Sequence, residues 1–192
     1  MAATVDIEAW TGDDGNGNPA SKTTASSFRF RTDDSPTTVD TTNPLIIPDS
    51  GTNHSFWMSV GLAISGTYDE VSNIRFHTDG TIGYSLGTNG QVVRGNRDSG
   101  DNGVTESDYE QATGTTGTSG DDLGGNHGFF SGQSTPEVNV ENDTSGSPAT
   151  IDSNTYTSDQ STKAVVMQAD VDTDASSGIQ SDEDITFLYD EI

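Results

Sequence analysis

The chain has 192 residues, with 31 acidic against 7 basic side chains, a net charge of −24, only 29% hydrophobic residues and no cysteine. A surface of that charge repels phosphates, which excludes nucleic-acid binding as the primary role, and no apolar run approaches the ~18 residues of a membrane-spanning helix. Disulfides, zinc–thiolate sites and thiol nucleophiles are excluded with the missing cysteine, and Met1–Trp10 lacks the basic and then apolar pattern of a secretory leader.

Elements follow in chain order. Ala3–Trp10 alternates apolar and polar residues, which predicts a half-buried strand, and it runs into the loop Gly12–Pro19. Ser27–Thr32 sets Phe28 and Phe30 on one face and Arg29 and Arg31 on the other, again a strand. Leu45-Ile46-Ile47, bracketed by Pro36, Pro44 and Pro48, suits an edge. In Ser55–Ile64 the residues Met58, Val60, Leu62 and Ile64 share a face. The opposite face is thin at Ser59, Gly61 and Ala63, which allows another backbone to approach closely. Ser72–Thr78 is a further strand. Short strands are expected at Ile82–Leu86 and Gln91–Arg94, joined as a hairpin through Asn89-Gly90. Residues 95–127 and 131–162 read as long polar loops, and Glu106–Ala112 is the one short helical candidate. Lys163–Val171 and Asp184–Asp190 close the chain as strands, the last placed inside a sheet by a Greek-key return. The fold class is therefore all-β, a jelly-roll-like antiparallel sandwich of one domain over residues 1–192 with almost no helix.

No catalytic set emerges, and the chain is expected not to be an enzyme. Gly83-Tyr84-Ser85-Leu86-Gly87 fits the G-x-S-x-G pattern, but a hairpin signal follows where a nucleophile elbow needs a helix. His54, His77 and His127 lack metal-binding spacing. Oxygen donors alternate in Asp14–Asn18 and in Asp170–Asp174, as in Ca²⁺ or Na⁺ sites, yet Pro19 and Ala25 stand where an EF-hand needs Gly and Glu. The expectation is no resident cofactor, with structural Ca²⁺ or Na⁺ at these runs as the alternative.

The charge itself carries information. It is dispersed rather than blocked, Asp far outnumbers Glu, and there are two lysines, Lys22 and Lys163, against five arginines. This bias resembles that of haloarchaeal proteins. Screening shrinks from about 8 Å at physiological ionic strength to about 3 Å at 1 M salt, so self-repulsion is quenched there.

A second resemblance rests on residues. Phe56-Trp57, Gly66-Thr67-Tyr68 and Val71–Gly80, then Ala164–Val171, Ala175-Ser176-Ser177-Gly178 and Ile185–Glu191, resemble strand patterns in all-β virion structural proteins of tailed viruses. The resemblance covers roughly residues 26–86 and 163–192. It implies a non-enzymatic virion component of a haloarchaeal tailed virus, a capsid turret or decoration subunit or a tail or connector piece. Such a subunit would be made in the host cytoplasm and built into the virion. Its implied partners are further copies of itself, other virion proteins such as the major capsid protein, and the host cell surface. The alternative is a carbohydrate- or calcium-binding β-sandwich module of a surface or secreted protein.

Overall fold

A computed structural model describes residues 2–98 and 100–192. The chain is nearly all β, its antiparallel sheets curled into a half-barrel. The strands are β1 (Ala3–Asp13), β2 (Pro19–Thr24), β3 (Thr52–His54), β4 (Met58–Gly66), β5 (Val71–His77), β6 (Gln91–Gly95), β7 (Gly114–Thr115), β8 (Ser119–Gly120), β9 (Glu137–Asn139), β10 (Ala149–Tyr156), β11 (Gln160–Ser161), β12 (Val165–Asp172) and β13 (Thr186–Glu191).

The large sheet is built around one long antiparallel pairing. β3 and β4 run against β11 and β12, with Ile64 opposite Gln160, Val60 opposite Val165, and Asn53 opposite Val171. Outside β4 lies β1, and outside β1 lies β2. On its other side β12 pairs with β6, which pairs with β9. A separate three-stranded sheet has the order β10-β5-β13.

Alternation sorts the core. From β12, Val165, Met167, Ala169 and Val171 join Met58, Val60, Phe76 and Ile151 in one cluster. The alternate residues Ala164 and Val166 join Trp10, Trp57, Leu123 and Phe130 in another. Both faces of β12 are thus buried. A third cluster holds Leu62, Ile64, Val71, Ile74 and Tyr156. The thin face of β4 does admit a close neighbour: a Cβ on Gly61 would lie 3.3 Å from the Lys163 carbonyl oxygen.

Several segments differ from the sequence reading. Phe28–Arg31, Leu45–Ile47 and Ile82–Leu86 are not strands: among the described residues they join no ladder. Gln91–Gly95 pairs with β12 and β9 rather than folding back on Ile82–Leu86; Asn89-Gly90 forms only a local turn, closed by the Gly90 N–H on the Gly87 carbonyl. The side chains of Asp172 and Asp174 hold that turn to β12, which displaces the hairpin. The final strand is at an edge, not inside a sheet, because among the described residues only β5 pairs with it. Residues 131–162 are not merely loop: they contain β9, β10 and β11, and two register shifts in β10 break the period that would have marked it. Within 95–127 lie β7, β8, a 3-10 turn at Glu106–Asp108 and a one-turn helix, Leu123–Asn126.

Candidate functional site

The buried polar groups divide into ties that fix loops and one concentrated cluster of charge. Gln168 is a tie. Its side chain is wholly buried on the loop side of β12, accepts the Leu123 N–H at 2.8 Å and donates to the carbonyls of Ser55 and Asp121 at 2.7 Å. Burial without such partners would cost roughly 1–3 kcal/mol per polar group, so the amide pins the 121–123 loop to the sheet. Arg94 on β6 forms a buried pair with Asp143, its Nη2 donating to Oδ1 at 2.9 Å. Arg31 holds the 33–43 loop through Asp33, Asp40 and Thr42. The same pairing keeps the exposed Asp40 carboxyl at about 2.

The three histidines have separate surroundings. His54 Nδ1 meets Asp170 Oδ1 at 2.8 Å across the β3–β12 pairing, and this contact raises the imidazole above its ordinary value. Nearby, burial raises the Glu137 carboxyl, and the charges of Asp170 and Asp122 add to that. His127 is fully buried, with ring centroids 5.3 Å from Trp57 and 4.9 Å from Phe130. Its Nδ1 accepts the Phe129 N–H at 3.3 Å, which leaves the proton on Nε2, and Nε2 has no hydrogen-bond partner among the described residues. Burial lowers its pKa against the opposing influence of Glu110 and Asp108. His77 bonds locally, its Nδ1 donating to the Thr78 carbonyl at 2.9 Å.

The charge cluster lies where residues 100–105 cross β10 and the start of β12. Lys163 Nζ is 2.6 Å from Asp101 Oδ2 and 3.8 Å from Asp152 Oδ1. Asp152 is wholly buried; it accepts the Tyr156 hydroxyl, and the Lys163 N–H at 2.9 Å. Burial and the Asp152 carboxylate raise the Tyr156 phenol. For Asp101 burial acts upward, but the Lys163 ammonium and the Ser153 N–H and hydroxyl together bring its carboxyl below the ordinary value. Lys163 also borders an open cleft of about 370 Å³ with Thr105, Asn154, Tyr156 and Thr162. Across that cleft Lys22 pairs with Glu106 and donates to Ser161 at 3.0 Å, so both lysines of the chain serve one region.

No family model, curated protein or solved structure matches the chain. What the arrangement can do rests on its own geometry.

The sequence patterns fare unevenly. In Gly83–Gly87, Ser85 lies on a segment whose backbone meets Gln180 and Ser176, and no helix follows it. Asp170, Asp172 and Asp174 do not gather: Asp170 serves His54, Asp172 serves Asn89, and Asp174 serves Thr88. Asp14 is spent on Asn16 and Asn18 in its own turn. The Lys163–Asp101–Asp152 cluster was not foreseen. Its single sequence signal is that lysine is so rare here.

A different kind of site is the apolar face over Met58, Phe76 and Met167. Phe28, Phe30, Leu45, Ile47, Ile82 and Tyr84 pack on it, and each stays partly exposed. Phe30 and Tyr84 meet edge to face at 6.4 Å. Among the described residues, the N–H groups of Phe28, Phe30, Ile46 and Tyr84 make no main-chain hydrogen bond. Ile46, between Leu45 and Ile47, is 39% exposed.

Proposed function

We propose that the protein is a non-enzymatic structural subunit of the virion of a haloarchaeal tailed virus, most simply a capsid turret or decoration subunit that assembles as a symmetric oligomer. The observation that carries this reading is the half-covered apolar face over Met58, Phe76 and Met167. Main chain with unpaired N–H groups is open to pairing with another chain. Here it lies beside partly buried Phe, Ile, Leu and Tyr side chains. An isologous or ring contact would bury that surface and satisfy those groups at once.

The acidity supports the same setting. At −24 a subunit repels its copies in dilute buffer, whereas screening above about 1 M salt lets apolar contacts dominate. Polar interior groups such as Gln168, Arg94 and Arg31 are used to hold long loops in place, as a load-carrying subunit requires.

A second reading, a carbohydrate-binding module of a surface protein, is favoured by the hydroxyl- and amide-rich cleft beside Lys163. Antibody–gold electron microscopy separates the two. In infected haloarchaeal cultures, label on released particles is the expected result. Label confined to the cell envelope supports the module and contradicts the virion assignment.

A further inference from the structure

Lys163 and Asp101 lie 62 residues apart in sequence, yet backbone pairing brings their chains together. The segment carrying Asp101 is fastened by the Asn102 and Gly103 N–H groups to the carbonyls of Thr150 and Ile151, at 3.1 and 3.0 Å. Reciprocal bonds of 2.9 Å then join Val104 to Ala164. Only glycine fits at position 103, since a Cβ would fall 2.7 Å from both Lys163 Cβ and the Ile151 carbonyl oxygen. The two side chains therefore meet on a fixed frame.

The groups around them are disposed as for acyl transfer. Lys163 Nζ touches Asp101 Oδ2 at 2.6 Å. Oδ2 also receives the Ser153 N–H at 3.0 Å and the Ser153 hydroxyl at 3.1 Å. No donor among the described residues reaches Oδ1 of the same carboxyl. Asp152 Oδ1 stands 3.8 Å from Nζ, and the Asp152 side chain is held by Tyr156 and by the Lys163 N–H. A lone ion pair would need only the first of these contacts. A nucleophile, two donors on the oxygen where charge would develop, an unheld oxygen free to depart and a buried carboxylate able to move a proton make a fuller set.

We propose that Lys163 and Asp101 condense to form an isopeptide bond, which ties residues 100–105 covalently to the start of β12. Asp152 takes one proton from the ammonium, and the freed Nζ attacks Cγ of Asp101. Charge builds on Oδ2 within the Ser153 donors. Oδ1 departs as water with two of the three ammonium protons, one of them relayed by Asp152, while the third remains on the amide nitrogen. The C–O bond breaks as the N–C bond forms. Ammonium and carboxylate become amide and water, with no oxidant, metal or activated ester consumed. Holding the partners in contact supplies the effective concentration that free lysine and aspartate lack. In a chain without cysteine, such a bond does the loop-closing work of a disulfide, and it does so whether or not the assembly reading holds.

Intact mass spectrometry of the denatured full chain tests this directly, on material first shown to unfold cooperatively in concentrated salt. The wild type is expected to be lighter than its sequence by one water. Lys163→Arg is expected at full mass, and Asp152→Asn at full mass or with most of the water retained. Trypsin should leave the Lys163–Ala164 bond uncut, with Asp101 and Lys163 in one cross-linked fragment. A folded wild type at full mass, cut after Lys163, would reduce the cluster to an ion pair and overturn the proposal. Unchanged water loss in Asp152→Asn would remove Asp152 from the step.

Discussion

At the scale of single residues, His54 and His127 titrate in opposite senses because their surroundings differ. His54 gains Asp170 on folding, so its folded pKa exceeds the unfolded value near 6.5. The stability it contributes is complete below that value and is lost as pH rises through the folded pKa. His127 is buried between Trp57 and Phe130, so its folded pKa lies below the unfolded one. Its neutral form favours the fold above about 6.5, and that contribution is lost as pH falls. Thermal unfolding between about pH 5 and 8, in constant high salt, should therefore show His127→Phe with a weaker acid loss than wild type. His54→Gln should show a steeper one, and parallel profiles for all three proteins would contradict these assignments. Trp57 was legible as a core residue because it sits in the apolar run Phe56–Met58. The His54–Asp170 pair was not, since its members are 116 residues apart and only the β3–β12 pairing makes them neighbours.

Among the elements, β1, β4, β5 and β12 were legible because their period is clean and their buried faces are continuous. β10 hid behind two register shifts, and β7, β8 and β11 are two-residue pairings too short to leave a period. The pieces at Phe28–Arg31, Leu45–Ile47 and Ile82–Leu86 carry strand alternation without strand partners. Period reports which face is buried and says nothing about which backbone lies alongside. The edge position of β13 has a consequence of its own. Its main core contact is Phe187 against Phe76, with centroids 5.7 Å apart. Deleting Asp184–Ile192 removes that contact and one ladder but leaves the large sheet intact. The truncated chain should keep a cooperative transition, destabilised by less than the ~3–5 kcal/mol of a fully buried phenylalanine, because Phe187 is only partly buried. Loss of all cooperativity in denaturant would show that β13 nucleates the fold.

For the whole molecule, charge and unfinished surface are two sides of one design. The half-barrel leaves apolar side chains and unpaired main chain on one face, and a charge of −24 opposes its covering in dilute solution. Concentrated salt shortens the reach of that repulsion to about 3 Å or less and strengthens apolar burial, so fold and assembly should respond to salt together. Light scattering on the purified chain, with circular dichroism on the same samples, tests this account most directly across a titration from dilute buffer to about 2 M salt, where screening is nearly complete. The account predicts a particle several times the 20.1 kDa subunit at high salt. That mass should fall, and the β signal with it, as salt drops below about 1 M. A folded monomer at every salt concentration would contradict it.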